Sequence, residues 1–126
     1  MGKSIMDVVA EAKSVVPSIS TEEAEKIHGR KDVLFVDVRD AGEVAQTGMV
    51  AGAVNVSRGM LEFRADETTP YYNEAFSRDK TVVLYCASGG RSALCGKALI
   101  DMGYPNVRNL GAFKDWAESG LPTESA

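Results

Sequence analysis

Two cysteines, one histidine and one tryptophan are a small stock of special chemistry for 126 residues. Two cysteines, Cys86 and Cys95, cannot make the disulfide framework of a small secreted protein. With a single histidine they also make a poor zinc set, so no metal is expected, and nothing in the chain calls for a cofactor. No apolar run approaches the length of a membrane span. Lys and Arg number 14 against 18 Asp and Glu, giving a net charge of −4 and a pI near 5.0. That balance lacks the basic footprint of a nucleic-acid binder. The first residues show no basic-then-apolar leader pattern, and Met6 stands where a myristoylation motif needs Ser or Thr. The expected setting is therefore the cytoplasm, with neither membrane nor nucleic acid as partner. Internal repeats and low-complexity segments are also missing.

What remains is ordinary globular composition, 44% apolar and 25% charged, at the length of one domain. Ile5, Val8, Val9, Ala12 and Val16 lie on one face of a helix that Pro17 ends, so residues 1–17 read as a helical extension and 18–126 as the domain proper. Ser20 and Glu23 form a capping box for a short helix through Ile27. His28 follows at its C-terminus, where the helix dipole favours it, and is read as structural. Val33–Val36 is a continuous apolar run suited to a strand buried on both faces. Asp37 and Arg39 follow it and are expected to form a structural pair. Further strands are expected at 53–56, 81–85 and 107–110, the last closing the sheet, with helices at 41–46, 60–65, 91–102 and 112–119. Residues 66–79 make a polar connection long enough to suggest a functional edge or a lid. Strands alternating with helices over short connections indicate an α/β domain with a mainly parallel sheet and helices on both faces. Ligands of such sheets bind beyond the carboxyl ends of the strands. That edge receives Asp37 and Arg39, then Ser57 and Arg58, then Cys86.

The stretch Thr81–Met102 carries the chemistry. Cys86 ends an apolar strand, Ala87, Ser88, Gly89 and Gly90 turn the chain, and Arg91 and Ser92 open a helix. A free thiol, with pKa ~8.5, is mostly protonated at neutral pH. Here a helix N-terminus, the successive N–H groups from Ala87 to Arg91, the hydroxyls of Ser88 and Ser92, and the Arg91 charge are all placed to stabilise a thiolate. No histidine lies within sequence reach to act as a base, which disfavours papain-like acyl transfer. Activation by backbone dipoles suits attack on sulfur or phosphorus. Cys95 falls on the apolar stripe of the helix and reads as core.

These residues resemble the single-domain, rhodanese-like sulfurtransferases. The pieces are Val36-Asp-Val-Arg39 with Glu43, Gly48 through Asn55, Cys86-Ala-Ser-Gly-Gly-Arg-Ser92, and Asn109-Leu-Gly-Ala-Phe-Lys-Asp-Trp116 followed by Gly120-Leu-Pro122. Together they span about Ser20 to Pro122. The resemblance implies a Cys86 persulfide, loaded from thiosulfate or a similar small anionic sulfur donor and discharged to cyanide or a thiol, with a protein sulfur acceptor as an alternative. It also implies that the loop residues 87–92 hold the sulfur and that Arg58 and Arg64 flank the pocket mouth. Two positions depart from the family pattern: Met49 stands where a histidine is common, and Gly111-Ala112 replaces paired glycines. The rivals are a persulfide carrier with slow small-molecule turnover, a non-catalytic recognition module, and a cysteine-loop phosphatase. A phosphatase loop of the Cys-x5-Arg kind has one more residue between cysteine and arginine than the four found here.

Overall fold

The computed structural model describes residues 2–126. Its centre is a parallel sheet of four strands in the order β3 (Val54–Asn55), β1 (Val33–Asp37), β4 (Thr81–Cys86), β5 (Val107–Ala112). The two inner strands are the continuous apolar runs. They pair in register from Val33 with Thr81 to Asp37 with Tyr85, so Asp37 and Cys86 emerge at the same edge. Helices cover both faces. On one side, α4 (Leu61–Arg64) and α5 (Gly90–Asp101) pack with the buried Leu34, Val36, Val82, Leu84 and Leu99. On the other, α2 (Thr21–Ile27) and α6 (Phe113–Glu118) pack with Phe35, Val83, Tyr85 and Trp116. The α/β class with a parallel sheet is thus the observed architecture.

Local signals set the helix ends. The Ser20 hydroxyl caps the Glu23 N–H while the Glu23 carboxylate accepts from the Ser20 N–H. At the start of α3 (Ala41–Thr47) the Glu43 carboxylate likewise accepts from the Asp40 N–H. The Asp37–Arg39 pair is structural, as expected. Both residues are buried, and Arg39 also donates to Thr47 Oγ1 and the Gly48 carbonyl. Asn55 closes the edge by donating to the Asp37 and Arg39 carbonyls. A buried pair of this kind is costly to break, because removal of one partner strands the other charge.

Two features differ from the sequence reading. The strand at 107–112 is not the last: β2 (Met49–Val50) and β6 (Thr123–Glu124) form a small antiparallel ribbon outside the main sheet. Two-residue strands carry no periodicity from which to read them. The 66–79 connection is no loose lid. Phe76 is fully buried, and Arg78 bridges Glu67 and the Met102 carbonyl. His28 is structural, as read: it follows α2, donates from Nε2 to the Ala51 carbonyl and packs edge-on against Phe35 and Trp116, on the sheet face opposite α5.

The first helix, α1 (Ile5–Val15), is docked rather than free. Val9, Ala12 and Val16 are buried, and Val9 lies over Gly90 while Val16 lies over Gly96, both on α5. The strap that follows continues into the sheet edge: the Asn109 N–H donates to the Pro17 carbonyl and the Ile19 N–H to the Asn109 carbonyl. A methyl group at position 96 would come within 2.8 Å of Val16. Gly96→Ala is therefore expected to destabilise the fold by about 1–3 kcal/mol in urea melts, despite its better helix propensity. In a Val16→Ala background the same change is expected to be neutral or stabilising by up to about 1 kcal/mol. Equal penalties in both backgrounds would show that α1 is not seated on this glycine.

Candidate active site

β4 delivers Cys86 at its last position, fully buried, and the chain then turns back over the sulfur. Ala87 and Ser88 are exposed at the tip of the turn. Gly89 takes φ 98°, and a Cβ there would lie 3.3 Å from the Gly111 Cα, so both its conformation and its surroundings require glycine. This geometry brings the Gly89 N–H within 3.0 Å of Cys86 Sγ. Gly90 begins α5 and Ser92 sits one residue beyond Arg91, its Oγ 3.5 Å from the sulfur.

The sulfur's acidity follows from these contacts. Burial pushes the Cys86 thiol up. The N–H groups of Ser92, Ser88 and Gly89 oppose that push, and the net position is below an ordinary thiol. Cys95 is different. Burial, with a smaller push from Glu62, raises its thiol to about 12, so it stays protonated at any physiological pH. It packs in the same apolar cluster as Cys86, as the stripe of α5 predicted.

The arginines divide. Arg91 does not turn to the sulfur: its Nη1 and Nη2 donate to the two carboxylate oxygens of Glu43 at 2.6 and 2.9 Å. This bidentate pair pulls Glu43 down to about 2 and takes up most of the charge expected to act on an incoming anion. Arg58 is exposed and lines a groove of about 280 Å³ with Val8, Glu62, Leu94 and Cys95. Arg64 is exposed and reaches only the Tyr71 carbonyl at 3.4 Å. The structure thus joins Cys86, Gly89 and Ser92, and leaves Arg58 and Arg64 outside direct contact with the sulfur. Sequence reasoning passed over Asn109, whose amide reaches both Ser92 and Gly89 from β5. Its only sequence signal was membership in the closing segment Asn109–Trp116. No group of His, Cys, Asp and Glu among the described residues has the arrangement of a metal site, and no helix among them is long and apolar enough to cross a membrane.

The rhodanese-like domain family matches residues 20–119. The chain belongs to that family of sulfurtransferases. It is 35% identical to a sulfurtransferase of Allochromatium vinosum over 100 residues, covering 79% of this chain and 85% of that one. Among solved structures it is similar to a Rhodopseudomonas palustris protein of unknown function described as a possible tyrosine phosphatase. That match has a TM-score of 0.89 and 38% identity over 98% of this chain and 96% of the other. A polysulfide-sulfur transferase homodimer of Wolinella succinogenes aligns with a TM-score of 0.77 and 29% identity, over 95% of this chain and 86% of that one. The matched family region begins after α1 and the strap that follows it.

The two cysteines are expected to separate in a labelling experiment. With iodoacetamide at neutral pH, Cys86 becomes alkylated and Cys95 does not, as read by peptide mass mapping; modification of Cys95 at a comparable rate would contradict the environments described. The Glu43–Arg91 pair yields a second expectation. The Glu43 carboxyl sits lower when folded than its ordinary value of 4.5, so its contribution is complete above that pH and is lost as pH falls toward about 2. Over that window the native protein should lose more stability than Glu43→Gln in urea melts. Parallel pH profiles would refute the coupling.

Proposed function

We propose that this protein is a sulfurtransferase that carries a sulfane sulfur on Cys86, taking it from thiosulfate or a similar small anion and passing it to a thiol or cyanide. The observation that carries the reading is the Gly89 N–H aimed at Sγ from a left-handed turn that strongly favours glycine. In the first step the Cys86 thiolate attacks the outer sulfur of thiosulfate. The new Sγ–S bond forms as the bond to the sulfonate sulfur breaks, and sulfite leaves with the electron pair. In the second step an acceptor thiolate attacks the terminal sulfur. The Sγ–S bond breaks, the acceptor becomes a persulfide, and the Cys86 thiolate is restored. No external oxidant is needed.

The loop residues Ala87, Ser88, Gly89, Gly90, Arg91 and Ser92 supply what these steps need. Consecutive N–H groups at the start of a helix accept the negative charge of a terminal sulfur, as they accept other anions. Neither Arg58 nor Arg64 is in an ion pair among the described residues, so both remain available to draw an anionic sulfur donor toward this edge. Arg91 acts instead through Glu43, fixing the first turn of α5 against α3. The name attached to the Wolinella succinogenes neighbour, a polysulfide-sulfur transferase, supports a wider sulfur-donor class than thiosulfate. Delivery to a protein acceptor is the second form of the same chemistry, and Ala87 and Ser88, exposed at the tip of the loop, are the surface such a partner would meet.

The description of the Rhodopseudomonas palustris neighbour brings the phosphatase reading forward again. Two observations speak against it here. Only four residues separate Cys86 from Arg91. The guanidinium that would bind a phosphate is already engaged, bidentate, by Glu43.

Incubation with thiosulfate followed by intact mass measurement is expected to show a gain of one sulfur that cyanide removes as thiocyanate. The gain should be absent in Cys86→Ser and retained in Cys95→Ser. An unmodified native protein would sink the proposal, and hydrolysis of an aryl phosphate would favour the phosphatase. Efficient loading with little thiocyanate turnover would point to the protein-acceptor form.

A further inference from the structure

Ser92 has one hydroxyl proton and two neighbours that can take it. One is Cys86 Sγ at 3.5 Å, the other Asn109 Oδ1 at 2.7 Å. The Asn109 amide cannot be turned around. Its Oδ1 accepts the Gly111 N–H at 3.0 Å, and its Nδ2 donates to the Gly89 carbonyl at 3.3 Å. Reversal would set oxygen against oxygen and N–H against N–H. Oδ1 is therefore an acceptor, and the short contact requires Ser92 to be the hydrogen-bond donor. The side of the Ser92 oxygen that faces the sulfur is then a lone pair. Ser92 is fully buried and Asn109 nearly so, which makes this order costly to change.

We propose that Asn109 is a positioning residue for sulfur transfer, competing with Cys86 for the Ser92 proton and so turning the Ser92 oxygen toward the sulfur as an acceptor. This rests on the sulfurtransferase reading and deepens it. A thiol S–H can donate to that oxygen. A bare thiolate faces it lone pair to lone pair, unless the hydroxyl swings away from Asn109. Once sulfur has been transferred, Sγ is a bridging, uncharged atom and the charge lies on the terminal sulfur. Ser92 then has no reason to leave Asn109. The arrangement therefore favours the loaded cysteine over the empty thiolate. The loop itself does not depend on Asn109, because the Gly89 carbonyl is also held by the Ala93 N–H at 3.1 Å.

The charged and titratable groups around this cluster are few. Arg91 on α5 is paired with Glu43 on α3, Arg58 and Glu62 face Cys95, and Lys13 on α1 lines the groove beside Ser88, Gly89 and Asn109. Hydrogen bonds from Ser92 and the Asn109 amide reach none of them.

The test is a pH titration of thiolate ultraviolet absorbance in a Cys95→Ser background, which reads Cys86 without any sulfur donor and so stays separate from the loading assay. Asn109→Leu frees the Ser92 proton and is expected to lower the Cys86 midpoint by about one pH unit. Adding Ser92→Ala is expected to abolish that lowering. A midpoint that is unchanged or raised in folded Asn109→Leu, or a lowering that survives without Ser92, overturns the proposal. Should Asn109→Leu fail to fold, Ser92→Ala alone decides. With its proton on Asn109 the hydroxyl gives little to the thiolate, so the midpoint should stay within about half a unit of the native value. A larger rise overturns the proposal.

Discussion

The left-handed turn at Gly89 is the constraint on which the site depends. Without it the chain leaving β4 would not fold back over Cys86, and the N–H that meets Sγ at 3.0 Å would point elsewhere. The turn is tight because β5 runs beneath it, with the Gly111 Cα in the space a side chain would need. The parallel sheet thus does more than carry the loop. Pairing of β4 with β5 sets the height of the loop floor, and the shift in register between Leu84 and Tyr85 lets Gly111 and Ala112 come level with Tyr85 and Cys86.

Two ion pairs brace this edge, and neither is spent on the sulfur. Asp37 and Arg39 are buried at the end of β1 and tie it to α3 through Thr47 and Gly48. Glu43 and Arg91 join α3 to the start of α5 at the surface. With both arginines committed, stabilisation of the proposed nucleophile falls to neutral backbone N–H groups. Such groups hold an anion without a counter-charge that would also hold sulfite in the proposed reaction. That suits the proposed order, in which one anion is released before an acceptor is met.

Much of this was legible because it is local. The capping box at Ser20 and Glu23, the apolar runs of β1 and β4, and the strand-turn-helix passage through Cys86 each announce themselves within a few residues. The fates of Arg91 and Asn109 do not. Glu43 lies 48 residues before Arg91, and Ser92 lies 17 before Asn109. No periodicity links such positions, and only the folded sheet brings them together. The docking of α1 was ambiguous for a related reason: an amphipathic stripe shows that a helix has a face to bury and says nothing of where. The small Gly90 and Gly96 on α5 are the other half of that contact, and nothing in the sequence links them to α1.

The central claim is that one sulfur atom, Cys86 Sγ, receives the transferred sulfur inside the loop. A crystal structure of the protein after exposure to thiosulfate tests it most directly. The account predicts one additional sulfur bonded to Cys86 Sγ, lying among the N–H groups of residues 87–92, with Cys95 unmodified and the Ser92–Asn109 hydrogen bond intact. Sulfur on Cys95, or thiosulfate bound away from the loop with Cys86 unmodified, would contradict it.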